Sequence, residues 1–129
     1  MIAEAEARQL LIDSCAVTSE AEHRILGELQ SPEFVNLLVH IAVDADDYEG
    51  DAPMQAAYFL TKASPELTRT HESALLTLLH TAQGYAGSVA LVLGRMKSQQ
   101  AKPFIIQAVA EGWWPEHFFK EALACYEGA

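Results

Sequence analysis

The chain has 129 residues, a mass of 14.1 kDa and a formal net charge of −10, from 18 acids against 8 Lys/Arg. Half of the residues are hydrophobic, and 7 Gly plus 5 Pro are the only strong breakers, which excludes a disordered tail and fits one packed domain over residues 1–129. The acidic balance disfavours direct contact with nucleic-acid phosphates, while acids among the first residues and the lack of a membrane-length apolar run give an expectation of cytoplasmic residence.

Ala3, Ala7, Leu10, Leu11 and Cys15 recur at helical spacing and predict a first helix from about Ile2 to Ser14. Thr18-Ser19, with Glu22 as capping-box partner, opens a second that runs through Ile25, Leu26 and Leu29 to Gln30. Ser31-Pro32-Glu33 is a helix start in three residues. Serine offers an acceptor to the free N–H groups, proline has the right φ and no N–H, and glutamate suits the positive end of the dipole. Phe34, Leu37, Leu38 and Ile41 form one stripe of that helix and Val35, Val39 and Val43 another, so it should be buried on two sides.

After an acidic connection from Asp44 to Asp51, Ala56, Phe59, Leu60 and Ala63 mark a helix ending at a second phrase, Ser64-Pro65-Glu66, 33 residues after the first. A longer helix is expected next, with Leu67, Ala74, Leu75, Leu78 and Ala82 on one face. Gln83-Gly84 breaks the pattern, and Tyr85, Val89, Val92, Leu93 and Met96 carry a helix to Ser98. Pro103 begins another, and Trp114-Pro115-Glu116 a last one facing inward through Phe118, Phe119, Ala122, Leu123 and Tyr126. The sum is seven or eight helices with a core containing Leu38, Ile41, Leu60, Leu75, Leu78, Val92, Leu93 and Ile105. A helical phrase recurring at this offset predicts an all-α solenoid of antiparallel helix pairs.

Residues 85–111 carry a resemblance to a known family. Leu93-Gly94-Arg95-Met96 passes through a short turn into Pro103-Phe104-Ile105-Ile106, which resembles the turn of a HEAT-type repeat, where a helix ending in Ala-Leu-Gly-x-Ile leads into Pro-x-Leu-Ile-x-x-Leu. Residues 56–79 resemble it more loosely, and Ser98 stands where the repeat usually has aspartate. The resemblance implies a right-handed HEAT-like solenoid. It implies a range of functions, since proteins of that fold act as adaptors, nucleic-acid readers, lyase partners, iron-dependent hydroxylases and inhibitors of toxins.

Charge separates these. The first 51 residues hold twelve acids and two Lys/Arg, and the remainder six of each. No base lies between Arg24 and Lys62, and Asp44, Asp46, Asp47, Glu49 and Asp51 crowd one connection. Such a field attracts basic surfaces and speeds encounter with them, whereas the bland alternative is a solvated loop with Asp51 as a cap. Calcium fits poorly. An EF-hand counted from Asp44 would place Tyr48 at the fifth position, Glu49 where a glycine must turn and Gln55 at the bidentate twelfth.

His71-Glu72 is the one His-Glu dipeptide, and Glu20 to His23 adds a single Glu-x-x-His, short of the ligand set a di-iron site draws from facing helices. Gly87-Ser88 lacks the glycines of a nucleophile elbow, and Gly84 to Ser88 lacks the lysine of a phosphate loop. Cys15 and Cys125 are expected as reduced thiols packed in the core. Trp113-Trp114, with Phe104, Phe118 and Phe119, is expected to close the core, or else to anchor a partner. The reading is therefore a non-enzymatic, cofactor-free module that binds a basic protein through its acidic half. An immunity-type inhibitor of a toxin is its sharpest form, and an adaptor or secretion chaperone its neighbours. The alternative is a metal-dependent helical-repeat enzyme served by His71, Glu72, Glu20 and His23.

Overall fold

A computed structural model describes residues 2–15, 19–44, 51–81 and 85–127. Among the described residues the secondary structure is entirely helical: α1 (Glu4–Cys15), α2 (Ser19–Glu28), α3 (Pro32–Ala42), α4 (Asp51–Leu60), α5 (Pro65–Thr68), a 3₁₀ turn (Arg69–His71), α6 (Glu72–Thr81), α7 (Ala86–Arg95), α8 (Lys102–Glu111) and α9 (Glu116–Ala124). None of these helices is long and apolar enough to cross a membrane.

Both Ser-Pro-Glu phrases start helices. The Ser31 side chain accepts the Phe34 N–H at 3.3 Å, and Ser64 accepts that of Glu66 at the same distance. The second phrase does not open the expected long helix. Its helix stops after one turn at Thr68, and the 3₁₀ turn intervenes before α6 begins. At the break the Thr68 and Thr70 hydroxyls each donate back to a carbonyl three residues earlier, Pro65 and Leu67. Leu75, Leu78 and Leu79 are buried, whereas Ala74 is exposed, and Ala82 lies outside the described residues.

The predicted core is otherwise found. Leu38, Ile41, Leu60, Leu75, Leu78, Val92, Leu93 and Ile105 are all buried in one apolar cluster. Helices that follow one another pair as α1 with α2, α3 with α4, α6 with α7 and α8 with α9, and a chain of contacts runs through the middle from α1 to α4, α7 and α9. At its centre, α7 is buried from Ala86 to Gly94. The second stripe of α3 ends short of expectation, with Val43 exposed just past the helix, and on α2 Leu26 is exposed although Ile25 and Leu29 are buried.

Backbone proximity sets the α7–α9 contact. A Cβ built on Gly94 would lie 2.6 Å from the Ala122 carbonyl oxygen, and one on Gly87 would lie 3.1 Å from Phe118 Cβ. Any larger residue at 94 would force the helices apart. Helix α7 then ends in a Schellman turn, with the Ser98 N–H on the Leu93 carbonyl at 3.0 Å and that of Lys97 on Gly94 at 2.9 Å. Lys97 takes the left-handed φ of 56° that this turn demands and that glycine fills at the end of α8, where Gly112 has φ 72°.

Polar contacts tie these elements together at three places. Ser98, almost fully buried, donates to Glu72 Oε2 at 2.5 Å, accepts the Ala101 N–H at 3.3 Å and receives the Tyr126 hydroxyl on its carbonyl at 2.7 Å. Burial and the nearby Cys125 and Glu72 push the Tyr126 hydroxyl up to about 12. Tyr85 donates to the Ala42 carbonyl at the end of α3. Arg95 donates through Nη1 to the Thr61 and Ala63 carbonyls and so satisfies the end of α4.

Candidate protein-interaction surface

The acidic half is built from α1, α2 and α3, whose apolar stripes are narrow. Helix α1 buries Ala7 and Leu11, and α2 buries Ala21 and Ile25. Glu4, Glu6, Glu20, Glu22 and Glu33 therefore stand on exposed faces, and Asp51 stands exposed in the first turn of α4, where a carboxylate favours the helix dipole. Of the five connection acids, Asp46, Asp47 and Glu49 lie outside the described residues.

Asp44 is already engaged. Its Oδ2 accepts from Arg8 Nη2 at 2.8 Å, while Arg8 Nε reaches Glu4 Oε2 at 3.1 Å and Glu4 Oε1 meets His40 Nε2 at 3.1 Å. This chain of four groups fastens α1 to the far end of α3. Burial would lower the Arg8 pKa, but the hydrogen bonds and charges of Glu4 and Asp44 outweigh it and raise the pKa. Asp44 and Asp51 thus differ in kind: one closes an internal contact and the other presents its charge to solvent.

The two tryptophans also divide. Trp113 donates through Nε1 to Glu111 at 3.1 Å and sets its ring edge-on to Phe104 at 5.3 Å and Phe119 at 6.0 Å, covering the seam between α8 and α9. Hydrogen bonds from Gln107 and from Trp113 hold the Glu111 carboxyl below its ordinary value. Trp114 is 85 % exposed.

The histidine and cysteine candidates separate. His71 Nε2 lies 2.6 Å from Asn36 Oδ1 on α3, and burial lowers its pKa. Glu72 turns instead to Ser98, and Glu20 and His23 sit exposed on α2. Among the described residues, no three His, Cys, Asp or Glu side chains come together as metal ligands. Cys15 is not packed in the core as its spacing suggested. It is exposed at the last residue of α1, where its sulfur meets a polar side chain of α4, Gln55 Nε2 at 2.8 Å. Cys125 is half-buried, and burial first, then Glu121, pushes its thiol up.

One feature escaped the sequence reading. Two adjoining depressions, of about 530 and 520 Å³, share Lys62 and Arg95 as lining residues. Their spacing was a usable signal, since Lys62 and Arg95 stand 33 residues apart, the same offset as the two Ser-Pro-Glu phrases. No protein-family model, curated protein or solved structure matches the chain.

Proposed function

We propose that the chain is a right-handed, HEAT-like α-solenoid of antiparallel helix pairs that acts in the cytoplasm as a non-enzymatic binding module, docking a basic protein against its acidic half. The pairing of consecutive helices, with α1, α4, α7 and α9 touching in series, supports the architecture. The observation that carries the function is the charge partition: twelve acids and two bases in the first 51 residues, with Glu6, Glu20, Glu22, Glu33 and Asp51 exposed on the helices that bear them. Blocking a basic cleft needs complementary charge and shape and no chemistry, so inhibition of a basic toxin is the sharpest form of the reading.

Affinity capture from native cells followed by mass spectrometry identifies the partner, which is expected to be basic. Association is then measured on a surface at low and high salt for the parent and for a variant carrying Asp46→Asn, Asp47→Asn, Glu49→Gln and Asp51→Asn, with Asp44 kept for its bond to Arg8. The variant should associate about tenfold more slowly at low salt and converge with the parent at high salt, where screening removes the steering. An acidic partner, or equal on-rates at low salt, would defeat the proposal.

A further inference from the structure

A separate hollow lies on the acidic side of the molecule, between the residues that lead into α1 and the first turns of α3. It measures about 420 Å³ and is lined by Ile2, Ala3, Glu4, Glu33, Asn36 and Leu37. Ile2 is buried, Leu37 half-buried and Ala3 exposed, and the accessible lining is almost wholly apolar even though three of the six residues are polar. The heads of those three are engaged elsewhere. Glu4 meets Arg8 and His40, the Ser31 hydroxyl donates to Glu33 Oε2 at 3.1 Å, and Asn36 Oδ1 is bonded to His71. Their carbon stems face the hollow and their polar ends stand at its margin.

The margin is anionic. No Lys or Arg lines the hollow, and the guanidinium beside it, Arg8, is shared between two carboxylates, Glu4 and Asp44. Glu6 and Glu33 are exposed as well. His71 adds little positive charge near neutral pH, because burial lowers its pKa. An apolar recess inside a rim of one charge matches the way interfaces divide their work, with an anchor side chain filling a dry pocket and the charged surround steering and orienting the partner.

We infer that this hollow is where the basic partner anchors, taking one leucine-sized or aromatic side chain from a segment whose neighbours are Lys or Arg. The inference rests on the docking reading above and adds a place and an anchor to it. A segment with the same apolar residue between acids would fit the recess but meet like charge at Glu4 and Glu33, so the rim selects against it.

Fluorescent heptapeptides Gly-Lys-Lys-X-Lys-Lys-Gly with Trp, Leu or Ser at X, and a Trp peptide flanked by Glu in place of Lys, test it by anisotropy on the intact protein at low salt. Amide shifts in ¹H–¹⁵N spectra locate the contact. The Trp and Leu peptides should bind about tenfold more tightly than the Ser peptide, the gain expected from burying one such side chain, and should shift the Ala3, Asn36 and Leu37 signals. Ala3→Lys, at an exposed position, should abolish that preference and weaken all three Lys peptides, whereas Glu33→Gln should weaken them and keep the preference. A thermal melt verifies that each variant folds. Equal affinities for the Trp and Ser peptides, equal affinities for the Lys-flanked and Glu-flanked peptides, or shifts confined to other faces would each overturn the site. Concentration-dependent dimers of the parent that Ala3→Lys dissolves would overturn it too, by making a second copy the occupant. The docking reading has its own readouts, the charge of the captured partner and its on-rate in the Asp46, Asp47, Glu49 and Asp51 variant. Slowed association there, with no preference for Trp over Ser in the peptides, would therefore defeat the hollow alone.

Discussion

The α1–α3 region and the α7–α9 region solve the same packing problem in different ways. In α1 to α3, side chains do the joining: narrow stripes such as Ala7/Leu11 and Ala21/Ile25 leave broad acidic faces in water, and a chain of polar groups from His40 through Glu4 and Arg8 to Asp44 ties α1 to α3. In α7 to α9, backbone meets backbone, with Gly94 against Ala122 and every residue of α7 from Ala86 to Gly94 buried. A surface that contributes little to the core is free to carry charge for a partner. A helix enclosed on all sides is not, and the fold depends on it.

The comparison breaks most visibly at Leu93. It is fully buried at the centre of α7, so Leu93→Ala should cost about 2 to 5 kcal/mol, a large share of an ordinary domain's stability, read as a lower denaturant midpoint. The same glycine-to-alanine change should then carry opposite signs in the two regions. Gly94→Ala gains helix propensity but drives a methyl into the Ala122 backbone, and overpacking of that kind costs about 1 to 3 kcal/mol. Gly27→Ala on α2 has nothing within 4 Å of the new methyl and should stabilise by up to about 1 kcal/mol. Equal effects at both sites, in parallel urea titrations, would erase the distinction.

At the start of α3, Ser31→Ala removes the acceptor for the Phe34 N–H and should cost about 1 kcal/mol, and an unchanged midpoint would show that the cap does not matter. The smallest effect concerns His71, which joins the 3₁₀ turn to Asn36 on α3. Burial lowers its folded pKa below 6.5, so the unfolded chain takes up a proton that the folded chain refuses. Stability is therefore complete above about pH 6.5 and falls as pH drops toward the folded pKa. The parent should lose stability relative to His71→Gln as pH falls below about 6.5, and parallel curves for the two proteins would remove His71 as the cause.

Helix starts were legible in the sequence because they depend on a few adjacent residues: Ser31-Pro32 and Ser64-Pro65 act through a serine oxygen and a proline ring within one turn. The eight core positions were legible for a similar reason, since helical period alone selects a buried face when that face is wide. Where the face is narrow, period misleads. Cys15 and Leu26 sit at the edges of narrow stripes and are exposed, Leu26 between the buried Ile25 and Leu29. The stop at Thr68 was hidden because the stripe from Leu67 to Leu78 keeps helical spacing across it, and the 3₁₀ turn at Arg69–His71 leaves no mark in that spacing. The two depressions that share Lys62 and Arg95 were hidden for a tertiary reason, as those residues follow α4 and end α7 and meet only in the folded chain. The candidate docking acids were visible as a cluster, but that Asp44 serves Arg8 while Asp51 faces water could not be seen without coordinates.

Ser98 has a bearing on how this chain can drift over generations. Its hydroxyl faces the Glu72 carboxylate at 2.5 Å in a site almost closed to water, while its carbonyl holds Tyr126. An aspartate arriving at 98 alone would set two anions against each other, and a glutamine arriving at 72 alone would weaken the acceptor that the serine addresses. Positions 72 and 98 are therefore physically coupled: an exchange at one should be tolerated best with a matching exchange at the other, the acid moving from helix to turn so long as a single one remains.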